Sequence, residues 1–193
     1  MKTHKKFILA LCVSLLSMSL AAQIPVSDIF DVVIKSIFII RTLPATTITM
    51  NMTVPQAGKP VADVVSAPSY LQLTSIAPLN ETRKVSTIIS TGTKPRGTTL
   101  TLAVSPCTTG AGTLGNTYTV VLTTASSQTI IDGIGSCYTG TATADGYKMI
   151  YTWAADIPNY SLINATSGSN PITITHTISL ASGDSPWIDP EGW

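Results

Sequence analysis

Three side chains carry groups that often perform nucleophilic catalysis: the thiols of Cys107 and Cys137 and the imidazole of His176. A thiol activated by a histidine base is a nucleophile that exported enzymes use, so Cys107 with His176 is one chemical hypothesis. A disulfide between Cys107 and Cys137 is the alternative, because an even pair of cysteines in an oxidising compartment is most simply paired. We favour the disulfide, in which neither sulfur is a nucleophile.

His176 shares one face of a predicted strand with Ile172, Ile174, Ile178 and Leu180. A polar ring on an apolar face must have hydrogen-bond partners if it is buried. We therefore predict a core or rim histidine whose nitrogens meet backbone groups, rather than a base or a metal ligand.

Gly110, Gly112 and Gly115 match the G-x-G-x-x-G spacing of a dinucleotide fingerprint. In that fingerprint the last glycine opens a helix whose N-terminus holds the pyrophosphate. Here the following residues, 117–124, read as a strand. The sequence therefore predicts a glycine-rich loop between two strands and no nucleotide site.

Acidic residues offer two further chemical hypotheses, a cation site in the C-terminal tail and a pair of hydrolytic carboxylates in loops. The tail spacing matches no Ca²⁺ loop, and turn residues are the simpler interpretation of the loop aspartates. We predict no catalytic residue, no cofactor and no metal site. The tail acids are Asp184, Asp189 and Glu191, and the loop acids are Asp132, Asp145 and Asp156.

Trp187 and Trp193, together with Tyr160, are the aromatic side chains that could stack against a sugar. Terminal aromatic residues more often dock onto their own domain or onto a partner. Trp187 and Trp193 are therefore retained as candidate ligand contacts for an alternative function, a secreted glycan- or ligand-binding module.

The first 22 residues have the features of a secretory signal peptide. Lys2, Lys5 and Lys6 precede an apolar run over residues 7–16, and small residues follow it, so we predict cleavage after Ala21 or Ala22. The apolar run is shorter than the ~20 residues that a membrane-spanning helix needs. We therefore expect an exported chain, secreted or at the cell surface, with no transmembrane segment.

The composition excludes several classes of protein. Of the 193 residues 44% are hydrophobic, and only 11% are charged, with eleven Lys and Arg against ten Asp and Glu. A soluble domain averages ~25% charged residues. Disordered solvating chains, coiled coils and nucleic-acid-binding surfaces all need a denser charge pattern, so we predict no nucleic-acid partner.

Apolar and hydroxyl-bearing residues alternate along most of the remaining chain, which is the period of half-buried strands. The pattern predicts a single all-β antiparallel sandwich, Ig-like or pilin-like, of about nine strands over residues 23–181, followed by a non-strand tail over 182–193. The clear strands are 47–54, 99–104, 117–123, 147–153 and 172–180; the weaker ones are 31–41, 70–76, 84–90 and 127–131.

The segment 31–41 departs from this alternation because residues 37–40 are apolar on both faces. A strand of this kind needs burial on both faces. Two hypotheses satisfy that need: an inner first strand of the sandwich, and a strand donated to a neighbouring subunit's sheet. The residues proposed for strand donation are Ile34, Ile37, Phe38, Ile39 and Ile40.

The stretches 99–115, 118–122, 128–140 and 172–178 together resemble a group of uncharacterised secreted bacterial β-sandwich proteins of the Bacteroidetes type. In overall plan the chain is similar to pilin-like and spore-coat-U-like surface subunits that are assembled by chaperones and outer-membrane pores. The resemblance implies an exported surface protein whose partners are other surface subunits or further copies of itself, with a periplasmic chaperone.

We therefore expect a structural or adhesive cell-surface component, fimbrium-like and without catalytic activity, assembled by strand donation. The glycan- or ligand-binding module is the alternative function, and a secreted hydrolase ranks third.

Overall fold

The computed structural model describes residues 33–165, 168 and 170–181. Contacts divide the chain into two units, Met1–Ile34 and Lys35–Trp193. Of the first unit only Val33 and Ile34 are described, and both are exposed. The predicted signal peptide and the predicted tail lie outside the described residues.

Twelve strands and one short 3₁₀ helix form the described part of this unit. In chain order they are β1 (Ile37–Leu43), β2 (Val64–Val65), β3 (Ser69–Ile76), β4 (Arg83–Thr91), β5 (Thr98–Val104), β6 (Ala111–Gly112), β7 (Asn116–Thr117), β8 (Thr119–Val121), β9 (Gln128–Ile134), β10 (Cys137–Tyr138), β11 (Tyr147–Ala155), the 3₁₀ helix (Ile157–Leu162) and β12 (Thr173–Leu180).

The larger sheet is built around β3 and β11. On one flank of β3, β1 pairs antiparallel with it from Ile37 opposite Ile76 to Leu43 opposite Tyr70. On the other flank β10 and then β11 pair with successive parts of β3. β11 continues into pairing with β5, and β5 pairs with β8. Among the described residues β1 is therefore an edge strand with one partner.

The smaller sheet runs in the order β12, β4, β9, β7. Both sheets contribute side chains to one core, so the two layers pack face to face. The larger sheet supplies Leu71, Leu73, Leu100, Leu102, Tyr147 and Met149 among others, and the smaller sheet supplies Val85, Ile89, Ile130, Ile131, Ile134 and Ile178.

The predicted all-β fold is confirmed as two antiparallel sheets, and seven of the described strands have seven residues or more. The strands predicted over 70–76, 84–90, 99–104, 147–153 and 172–180 lie within or across β3, β4, β5, β11 and β12. Threonines alternate with inward-facing apolar residues in β5, as the period of two requires.

The prediction of a strand over 47–54 is wrong. These residues have no ladder partner within the described part of the chain, although Met50 and Met52 are partly buried and their neighbours are exposed. The backbone carbonyl of Thr53 accepts a hydrogen bond from the N–H of Ala62, which forms a local loop. Alternation reports which side chains face the protein, but it does not supply a neighbouring strand.

The glycine-rich stretch 110–115 contains only the two-residue strand β6, and β7 follows Gly115 where a nucleotide fingerprint would need a helix. Gly110, Gly112 and Gly115 all have positive φ, and a Cβ at each position would collide with backbone atoms of residues 132–139. The glycines therefore let this loop lie directly against β9 and β10.

Candidate functional site

The apolar strand singled out by the sequence is an exposed edge, not an inner strand. In β1 the side chains of Ile37, Phe38 and Ile39 are 47%, 49% and 64% exposed. Ile40 is partly buried and packs against the core. Ile34 precedes β1 and is 77% exposed. The inner-strand hypothesis is therefore wrong, because β3 covers one edge of β1 and the described chain leaves apolar side chains open on both of its faces.

The outer face of β1 shares its side of the sheet with exposed residues of β3 and β10. Ile39 lies opposite Thr74 in β3, and Thr74 lies opposite Tyr138 in β10. Thr74 is exposed and Tyr138 is 55% exposed. A strand added to the free edge of β1 would lie next to Ile39, whereas Tyr138 lies on the far side of β3.

The one charged residue within β1 does not guard its free edge. Arg41 donates from Nε to Oε1 of Gln72 at 2.8 Å and from Nη2 to the carbonyl of Thr141 at 3.4 Å. Both contacts lie on the β3 side of the strand. Natural sheets commonly protect exposed edges with outward charges, prolines or bulges, and residues 37–43 contain no such device on the free edge.

The inner face of β1 covers a buried cation. Arg83, at the start of β4, is only 4% exposed. Its Nη2 donates to Oγ of Ser36 at 2.6 Å, and its guanidinium carbon lies 4.7 Å from the ring centre of Phe38. Its Nε is buried and has no hydrogen-bond partner among the described residues. Sequence reasoning missed Arg83, because nothing in its local pattern separates a buried arginine from an exposed one.

The predicted disulfide is not present in this structure: Cys107 and Cys137 are free thiols. The Sγ of Cys107 instead donates to the carbonyl of Thr109 at 3.0 Å. Burial raises the pKa of Cys137 to about 11, and the charge of Cys107 adds to the rise. Burial, followed by the charges of Cys137 and Cys107, raises the pKa of Tyr147. The pairing of the two sulfurs under oxidising conditions stays a prediction.

His176 contacts Tyr151 of the opposite sheet, whereas Cys107 hydrogen-bonds to Thr109. The structure therefore gives no hydrogen bond between the thiol and the imidazole of the nucleophile hypothesis. The Nε2 of His176 lies 3.3 Å from the hydroxyl of Tyr151, and its Nδ1 is buried without a partner among the described residues. The expectation that backbone groups would satisfy the ring is therefore wrong. Burial lowers the pKa of His176 to about 4 and raises that of Tyr151 to about 12, so both groups are neutral at pH 7.

Asp145 and Asp156 accept hydrogen bonds within their own loops, whereas the prediction that Asp132 lies in a loop is wrong, because it is part of β9. Asp132 accepts from the hydroxyl of Tyr118 at 2.7 Å, which is also the main cause of the raised pKa of Tyr118. Asp145 accepts from the N–H of Ala142, and Asp156 accepts from the side-chain amide of Asn159. Within the described ranges no three His, Cys, Asp or Glu side chains form a metal-binding group.

The candidate sugar-stacking residues Trp187 and Trp193 lie outside the described residues, as do the tail acids. Tyr160 is described, and its hydroxyl accepts a hydrogen bond from the N–H of Val61 at 3.2 Å. That contact ties the 3₁₀ helix to the chain before β2. Tyr160 therefore has a structural contact of its own.

A shallow concavity of about 170 Å³ lies beyond the end of β1, smaller than the 300–1,000 Å³ typical of a small-molecule pocket. It is lined by Pro44, Ala67, Pro68, Ser69 and residues 46–49.

No helix in the described part of the chain is long and apolar enough to span a bilayer. Comparison with protein-family models, curated proteins and solved structures finds no match.

Proposed function

We propose that this protein is a non-catalytic, exported structural or adhesive component of the cell surface, and that the β1 edge makes its contacts with other subunits. The observation that supports the proposal is that β1 combines a backbone edge with no partner among the described residues and exposed isoleucine and phenylalanine side chains. An exposed sheet edge with apolar side chains is a template for an added strand.

Burial of the exposed apolar side chains of β1 against another subunit would stabilise an assembly. Each isoleucine or phenylalanine that becomes fully buried stabilises an assembly by roughly 1.5–3 kcal/mol. Ile37, Phe38 and Ile39 are each about half exposed or more, so burying their remaining surface supplies a few kcal/mol in addition to the backbone hydrogen bonds. The resemblance in plan to pilin-like surface subunits agrees with this function.

The first experiment compares two lysine substitutions by light scattering coupled to gel filtration, on the chain beginning at Gln23. Ile39→Lys places a charge on the β1 edge, and Leu79→Lys makes the same kind of change at a turn position that is 90% exposed. We expect the wild type and Leu79→Lys to form oligomers and Ile39→Lys to be at least tenfold less associated. A monomeric wild type, or equal association of all three, would overturn the proposal.

Export has its own test. Cells that produce the full chain should yield a mature protein outside the cytoplasm whose first residue is Ala22 or Gln23. Replacement of Lys2, Lys5 and Lys6 by glutamate should retain the uncleaved chain inside the cell. Uncleaved wild-type chain in the cytoplasm would contradict the proposed location.

A further inference from the structure

Among the edge strands that the structure describes, β1 and β12 have seven and eight residues, and the others have two or three. Three of the four exposed side chains of β12 are threonines, whereas β1 exposes Ile37, Phe38 and Ile39. Apolar surface is best covered by another apolar surface. The long described edge with this property is β1, so a second copy of this chain offers the matching strand.

An antiparallel pair of β1 strands has a register that suits these side chains. When Ile39 lies opposite Ile39 of the second copy, Phe38 of each copy lies opposite Ile40 of the other. Alternate residues of a strand share a face, so outer side chains meet outer ones and inner side chains meet inner ones. Opposite side chains contact each other, and Ile39, the most exposed side chain of β1, is thereby covered by its own copy.

Charge and apolar matching favour this register over its neighbours. In a pair centred on Phe38, Lys35 lies directly opposite Arg41 of the second copy, and like charges in opposite positions destabilise a sheet. In a pair centred on Ile40, Ile39 lies opposite Arg41 instead of an apolar residue. A pair centred on Ile39 sets no cation directly opposite a cation and keeps the most exposed isoleucine against another isoleucine.

We propose that two copies of this chain join along β1 in an antiparallel pair centred on Ile39, so that their larger sheets form one continuous sheet. This inference rests on the proposed function and names its partner, a second copy. The pair uses two features of β1 that the described part of its own chain leaves unpartnered, the backbone edge and the exposed apolar side chains. Because each copy contributes the same strand, the contact closes as a twofold dimer.

The main experiment compares two cysteine substitutions in the chain beginning at Gln23. The variants are oxidised with glutathione disulfide, and joined peptides are identified by mass spectrometry. Ile39→Cys places the two new thiols opposite each other, where the Cα atoms of such pairs are ~4.5–5.5 Å apart and within disulfide range. Ile37→Cys places them four residues out of register, about 13 Å apart along the strands. We expect a disulfide between the two copies of position 39 at about tenfold the yield of one between the two copies of position 37.

The outcomes separate this inference from the proposed function. Equal yields for the two variants, or a disulfide only between copies of Ile37→Cys, would overturn the pair centred on Ile39. Association that is lost in Ile39→Lys, without a disulfide between copies of Ile39→Cys, would overturn pairing of β1 with itself and leave β1 as the contact for a different surface. A wild type that stays monomeric would overturn both.

Two glutamate substitutions test the same register without thiol chemistry. Ile37→Glu places a carboxylate opposite Arg41 of the second copy, whereas Ile39→Glu places two carboxylates opposite each other. Both positions are exposed, so neither change should unfold the monomer. Light scattering coupled to gel filtration should show Ile39→Glu to be about tenfold less associated than Ile37→Glu. Equal association of the two variants, or the reverse order, would overturn the register.

Discussion

Each of the two sheets has an edge strand that leads into residues outside those described, β1 in the larger sheet and β12 in the smaller one. The two strands differ in which of their side chains are exposed to solvent. β12 alternates: Thr173, Thr175, Thr177 and Ser179 point away from the core while Ile174, His176 and Ile178 point toward it. β1 places Ile37 and Ile39 on its outer face and Phe38 on its inner face, and these side chains are 47–64% exposed.

The difference shows what each edge is suited for. The outward hydroxyls of β12 keep one face hydrated while its backbone pairs with β4 through eight residues. β1 pairs with β3 almost as extensively, through seven residues, but its side chains are poorly covered by its own chain. Backbone pairing alone therefore does not explain the composition of β1, and a second molecule would supply the missing cover.

The largest effect expected from this contrast is in paired isoleucine truncations. Ile178 in β12 is 7% exposed and Ile39 in β1 is 64% exposed. Ile178→Ala should lower the free energy of unfolding of the monomer by about 3 kcal/mol, through lost burial and the cavity left behind. Ile39→Ala should change it by less than about 0.5 kcal/mol, as surface substitutions do. Urea denaturation at low protein concentration measures both, and similar losses would abolish the distinction between the edges.

Acid should increase the difference between the two edges because β12 carries a partly buried histidine, His176. The folded pKa of His176, about 4, lies below its unfolded value of 6.5, so protons bind the unfolded chain more readily between these pH values. The contribution of neutral His176 to the free energy of unfolding is fully present above pH 6.5 and is lost as the pH falls toward 4. The free energy of unfolding should therefore fall by about 2 kcal/mol over this pH range. This is less than the full value of ~1.4 kcal/mol per unit of pKa shift, because the imidazole is not wholly enclosed.

The control for this pH effect is His176→Gln, which cannot gain the proton. Tyr151, the titratable group in contact with the ring, stays neutral through this range because its pKa is about 12. The substitution should therefore flatten the fall in unfolding free energy between pH 6.5 and 4, as followed by urea denaturation at each pH. An unchanged pH dependence would show that other groups cause it.

Much of the fold follows from sequence because alternation in β5, β11 and β12 reports burial directly. The strand predicted over 47–54 is absent because Met50 and Met52 are more buried than their neighbours but no described strand lies alongside. The apolar pattern of 31–41 predicts a strand but does not specify its place in the sheet. Position in a sheet depends on long-range pairing, such as β1 with β3, which local periodicity does not encode.

The candidate site was predictable only in part. The apolar residues of β1 stand out as a run of Ile and Phe, so their unusual character is visible in the sequence. Arg83 is not, since it sits in an ordinary alternating strand and its burial depends on Phe38, 45 positions earlier. Cation–π contacts and side-chain hydrogen bonds between distant strands depend on how the strands pack, which the local sequence pattern does not specify.

The smallest effect concerns the hydroxyl that meets His176 across the two sheets. Tyr151→Phe keeps the ring in the core and removes only the group 3.3 Å from Nε2, so the free energy of unfolding at pH 7 should fall by about 1 kcal/mol. The matched change Tyr138→Phe, at a hydroxyl-bearing ring that is 55% exposed, should leave it within about 0.5 kcal/mol. Equal values for the two variants in urea denaturation would mean that the hydroxyl of Tyr151 does not stabilise the imidazole. The anchoring of β12 would then come from Ile174 and Ile178, and its difference from β1 would be one of apolar packing alone.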